Sequence, residues 1–78
     1  MKIRVAAFGA MREYMADKSA RTELDVSEGS SVGDVVDALG APRRLVFAVL
    51  IDGLQSDLEQ EVHEGAEITL MPPFAGGS

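Results

Sequence analysis

Residues 31–42 read SVGDVVDALGAP, the clearest local signal in the chain. Ser31 is a natural N-cap, because its hydroxyl can accept from an N–H that the first helical turn leaves unpaired. Asp34 follows at the N3 position, near the positive end of the helix dipole. Val32, Val35, Val36 and Leu39 fall at i, i+3, i+4 and i+7, a single stripe for a core. Gly40 suits the left-handed residue that ends a helix, and Pro42 forbids continuation. Valine is a mediocre helix former, so tertiary packing rather than propensity must hold this helix.

The flanking segments supply something to pack on. Residues 2–9 alternate Ile3, Val5 and Ala7 with Lys2, Arg4 and Ala6, the period of a half-buried strand that Gly9 breaks. Residues 10–16 are rich in helix formers, and Met11, Tyr14 and Met15 make one apolar face of a short helix. In residues 20–27, Thr22, Leu24 and Val26 face one way and Arg21, Glu23 and Asp25 the other. Residues 45–51, LVFAVLI, are short, apolar and β-branched, which predicts a strand covered on both faces. Asp52-Gly53 is a turn signal directly after it. Residues 55–64 are polar and acidic and read as a loop with one helical turn at 57–60. Gly65 leads into a last strand, 66–71, with Ala66, Ile68 and Leu70 alternating with Glu67, Thr69 and Met71.

One principal helix on a mixed sheet is an α+β two-layer sandwich. Val32, Val35, Val36 and Leu39 are expected to pack on Ile3, Val5, Val49, Ile68 and Leu70.

Seventy-eight residues make one domain. A chain of this size buries only about 60% of its unfolded surface, which leaves little room for an enzyme pocket of ordinary size. The net charge of −6 argues against nucleic acid and anionic membrane surfaces and favours a basic protein partner. The absence of cysteine removes disulfides, thiolate metal sites and thiol nucleophiles together. No apolar run is long enough to span a bilayer, and a cytoplasmic protein is expected.

No catalytic constellation is legible. His63 is the single histidine and sits beside a turn, so no metal site is expected. Asp57, Glu59, Glu61 and Glu64 read as a solvated loop that could also steer a basic partner. Phe8 has the opposite parity to Ile3 and Val5, and Met71 the opposite parity to Ala66 and Leu70. With Phe74 they form an exposed apolar patch for a partner, unless Phe8 and Phe74 tuck under the sheet edge.

The chain closes with Met71-Pro72-Pro73-Phe74-Ala75-Gly76-Gly77-Ser78. Proline lacks an N–H and fixes φ, so the sheet stops at Pro72-Pro73 and the chain leaves it stiffly. The expected division is a domain over residues 1–72 and a flexible tail over 73–78. An aromatic followed by residues nearly without side chains suits insertion into a narrow pocket of another protein.

This ending, on a short domain with this order of elements, resembles the MoaD/ThiS family of ubiquitin-like sulfur carriers, and its double proline is closer to the MoaD branch. The resemblance implies a β-grasp fold over the whole chain. It also implies that a MoeB/ThiF-like adenylating enzyme activates the Gly77 carboxylate with ATP, Gly76 lying beside it in the same channel. Sulfur transfer would then leave a thiocarboxylate that the tail delivers inside a MoaE-like large synthase subunit. Pro73, Phe74, Phe8 and Met71 become partner-binding residues on this reading, and no cofactor is bound by the chain itself. Ser78 departs from the family pattern, so a protease that removes it belongs among the expected partners. Two other roles stay open: carriage of sulfur for another pathway (thiazole, amino acid or natural product), and a ubiquitin-like modifier or interaction module.

Overall fold

The computed structural model describes residues 1–73. The fold has five strands, β1 (Lys2–Ala7), β2 (Arg21–Asp25), β3 (Ala48–Ile51), β4 (Leu54–Ser56) and β5 (Glu67–Met71), and one α-helix, α1 (Val32–Leu39). The strands form one mixed sheet in the order β2-β1-β5-β3-β4. β1 and β5 run parallel, and every other neighbouring pair is antiparallel. Val32, Val35 and Val36 of α1 share one buried cluster with Ile3, Val5, Val49, Ile68 and Leu70 of the sheet. This is the expected two-layer β-grasp arrangement.

The local chemistry of α1 is as its sequence implies. The Ser31 hydroxyl accepts the Asp34 N–H at 3.1 Å, and the Asp34 carboxylate accepts the Ser31 N–H at 3.0 Å, a reciprocal capping box. Gly40 closes the helix with φ 80°. Leu39, expected in the core, is only half-buried at its margin.

Four expectations are corrected. Residues 10–16 do not form an α-helix but two 3₁₀ segments, Gly9–Tyr14 and Ala16–Lys18. Met15 breaks the run with an extended backbone (φ −90°, ψ 153°), and left-handed residues at Gly9, Asp17 and Lys18 bound the region. Met11 and Met15 are nevertheless buried, as their spacing implies. The strand read over 45–51 is β3 alone, because a 3₁₀ turn at Arg43–Leu45 follows Pro42. Its coverage on both faces is also wrong: Phe47 is 78% exposed, and Ala48 and Leu50 are half-buried.

The loop expected over 55–64 gives up its first two residues to strand β4. Asp52 and Gly53, both at positive φ, return the chain so that Leu54, Gln55 and Ser56 pair with Ile51, Leu50 and Val49. At 57–60 one hydrogen-bonded turn forms, the Gln60 N–H donating to the Asp57 carbonyl at 3.3 Å, but it does not become a helix. Leu58 and Gln60 instead turn their carbonyls to the N–H groups of Gly33 and Val32, at 2.7 and 2.9 Å. These are donors that the start of α1 leaves unpaired, and a local helix would not place these carbonyls there.

A second long-range clasp holds the entry to β5. Asp52 Oδ1 accepts the Glu67 N–H at 2.9 Å, and Asp52 Oδ2 lies 2.8 Å from His63 Nε2. His63 Nδ1 lies 3.0 Å from the Glu64 carbonyl. Both ring nitrogens thus face acceptors, and only the imidazolium carries a proton on each. The Glu64 carbonyl and then Asp52 raise the His63 pKa above its ordinary 6.5. The Glu67 N–H, then His63, lower that of Asp52 below its ordinary 3.8.

The histidine's contribution to stability is therefore full below 6.5 and is lost as pH rises through its raised folded value. The aspartate's is present above 3.8 and is lost as pH falls through its lowered one. The difference in Tm between the parent and His63→Gln should accordingly shrink as pH rises from mildly acidic to mildly alkaline. A difference that stays constant across that range would remove the imidazolium from this account.

Candidate functional site

The face of the sheet opposite α1 follows from strand register, since paired residues share a face. One end of it is charged. Lys2 opposes Asp25, and Arg4 opposes both Glu23 and Glu67. Arg21 reaches across to Glu67 at 3.4 Å. A shallow depression of about 200 Å³ lies among Arg4, Ala6, Arg21, Glu23 and Glu67. That is below the size of an ordinary small-molecule pocket, about 300–1,000 Å³.

The other end, where β5 runs out, is apolar. Ala6, Thr69 and Leu50 form one row across β1, β5 and β3, and Ala48 pairs with Met71 in the next. Phe8 keeps an extended backbone (φ −116°, ψ 153°), so the alternation carries its side chain to this same face. It is 49% exposed. Met71 and Leu50 are half-buried. The structure thus brings the predicted residues Phe8 and Met71 to one end of one face and adds Ala48 and Leu50, which the sequence reading had placed in a buried strand. An apolar strand with one open face leaves the same sequence trace as a fully covered one.

The root of the tail is held from both sides. The Phe8 N–H donates to the Leu70 carbonyl at 3.2 Å, and the Phe47 N–H donates to the Met71 carbonyl at 2.8 Å. Pro72 is buried, and Pro73 is half-buried in a turn. Phe47 itself faces an open groove with Arg43, Val46 and Leu58. The predicted residues Phe74, Gly76 and Gly77, with Ser78, lie outside the described residues.

Among the described residues no three acidic or histidine side chains converge on a point that could hold a metal ion. The acidic side chains of 57–64 are partly used internally: Asp57 accepts the Glu59 N–H, and Glu64 accepts the Lys2 N–H. None of the described helices is long and apolar enough to cross a membrane. What the face offers is a surface, an apolar end beside the departing tail and a charged end with both signs.

Comparison with known proteins shows which family the chain resembles. The model of the ThiS family matches residues 5–77. A molybdopterin synthase sulfur carrier subunit of Mycobacterium tuberculosis is 34% identical, with 99% of each chain covered. SAMP1 from Haloferax volcanii superposes with a TM-score of 0.75 at 27% identity, covering 99% of this chain and all of that one. A second Haloferax volcanii structure, small archaeal modifier protein 1, gives 0.74 at 27% identity over 92% and 97% of the two chains. A putative molybdopterin converting factor subunit 1 from Pyrococcus furiosus, at 16% identity and a TM-score of 0.71 over 94% and 98%, shares the fold.

Proposed function

The chain belongs to the ThiS family, and from that premise we propose that it is a sulfur carrier of the MoaD type, the small subunit of a molybdopterin synthase. One observation carries the reading: the family match runs through Gly76 and Gly77, and the molybdopterin synthase carrier is similar from end to end. The chain works as a co-substrate, with the catalysis in its partners. Hydrolysis of the Gly77–Ser78 peptide bond first frees the Gly77 carboxylate, one of whose oxygens then attacks the α-phosphorus of ATP in the adenylating enzyme, and pyrophosphate leaves. Hydrosulfide then attacks the acyl carbon, AMP leaves as its C–O bond to that carbon breaks, and a thiocarboxylate remains for the large synthase subunit to use. The chain's own contribution is position. The apolar end of the sheet docks, and the tail arrives at a high effective concentration in the partner's site.

The test is calorimetry with the large synthase subunit from the same organism. The parent chain should bind, and Leu50→Glu, which places a charge in the apolar row without touching the core, should weaken binding at least about tenfold. Equal affinity of the two would move the docking surface elsewhere. A parent that fails to bind that subunit but is thiolated would belong to another sulfur pathway. A protein-modifier role is the second reading, favoured by the 27% identity and 0.75 TM-score to SAMP1. Its mark would be cellular proteins carrying this chain on lysine through an isopeptide bond at Gly77.

A further inference from the structure

We infer that Gly9 is a positioning residue for the tail: its missing side chain seats the Pro72 ring and sets the direction in which the chain leaves the sheet. The inference rests on the carrier reading and concerns how the tail is aimed. β1 ends at Ala7, and Gly9 enters the 3₁₀ segment at φ 55°, a left-handed conformation that L side chains rarely adopt. The turn is anchored, because the Met11 N–H donates to the Phe8 carbonyl at 3.1 Å and Met11 is fully buried.

Against this fixed turn lies the end of β5. A Cβ on Gly9 would stand 3.2 Å from Pro72 Cγ and 3.9 Å from Cδ. The first distance is too short for comfortable contact, so the ring or the turn would have to yield by a few tenths of an ångström. The strand before the ring cannot follow, since the Leu70 and Met71 carbonyls are held by the N–H groups of Phe8 and Phe47. Displacement therefore falls on residue 72. Pro72 and Pro73 both have a restricted φ, so little of a shift of the first ring is absorbed across the two prolines, and the direction in which the chain leaves them changes. A tail that must present one carboxylate to an α-phosphate magnifies such an error, because productive geometry tolerates well under about 1 Å.

Gly9→Asn separates this role from a merely structural one. Asparagine tolerates the left-handed region but carries the Cβ that meets Pro72. The chain ending at Gly77 is assayed by ATP–pyrophosphate exchange with its adenylating enzyme, with Tm measured alongside. The expected result is a fall in kcat of about tenfold with KM within about twofold, because the docking face is untouched. In a Pro72→Ala background, where the ring is gone, Gly9→Asn should have no further effect on kcat. If Gly9→Asn does not fold, Pro72→4-methylproline in a synthetic chain crowds the same contact from Cγ and leaves the turn intact. An unchanged kcat in the folded variant, or an equal fall in the Pro72→Ala background, overturns the inference. Should the parent itself support no exchange, the carrier reading fails. The positioning claim is then decided by residual dipolar couplings of the Ala75, Gly76 and Gly77 amides, and values identical in parent and variant overturn it.

Discussion

Incubated with ATP, the adenylating enzyme and a sulfur donor, the chain ending at Gly77 should gain the mass of one oxygen-to-sulfur exchange, and the chain ending at Ser78 should stay at its starting mass. The expectation follows from length. A residue in an extended chain spans about 3.3–3.6 Å, so Ser78 displaces the reactive carboxylate by that much from where Gly77 would present it. In-line attack on the α-phosphorus does not survive an error of this size. On the carrier reading, relocation along the channel is opposed too, since a serine side chain would have to pass where the two glycines carry only hydrogen. The effect should be close to all or none in intact-mass spectrometry. Equal thiolation of the Ser78 form without trimming would show that the partner's groove, not the tail's length, sets the reacting position. If neither form reacts, the interaction-module reading replaces the carrier.

The second large effect concerns folding. Leu70→Ala should cost about 2–5 kcal/mol, against a total stability of about 5–15 kcal/mol for a small domain. Leu70 is fully buried in the central strand, with Ala7 and Val49 as its neighbours across β1 and β3. Truncation there opens a cavity between the two layers that the valines of α1 are too short to refill. In urea the midpoint should fall steeply, and Tm should drop by about 10–30 °C. Phe47→Ala is the contrast. It removes more atoms from a side chain that is 78% exposed, and the change should stay within about 0.5 kcal/mol. A Leu70→Ala chain that unfolds at the parent's midpoint would refute the central placement of β5.

Much of this architecture was legible from residue order alone. Ser31, Asp34 and Gly40 mark both ends of α1, and its valine stripe gives the buried face. The alternations in residues 2–7, 21–26 and 66–71 give three strands with the correct side turned inward. The candidate site was legible only in part. Phe8 and Met71 were picked out by parity and do lie at the apolar end of the open face. Leu50 and Ala48 were not picked out, because a wholly apolar run carries no parity signal. Phe47 was misplaced for the same reason, its exposure depending on where β3 begins after the Arg43–Leu45 turn.

By itself the sequence determined the features that neighbouring residues settle among themselves. These are the helix and its caps, the alternation of three strands, the halt at Pro72-Pro73 and the lack of any thiol. Each depends on a side chain's reach to its own backbone or on a period of a few residues. Only the tertiary structure decided that the apolar strand β3 leaves one face open and which short segment pairs beyond Asp52-Gly53. The same holds for the Leu58 and Gln60 carbonyls that cap α1 and for Gly9 lying against Pro72. These are contacts between segments far apart in the chain. Their energy comes from satisfying distant donors and filling space left by another segment, and no local pattern encodes that.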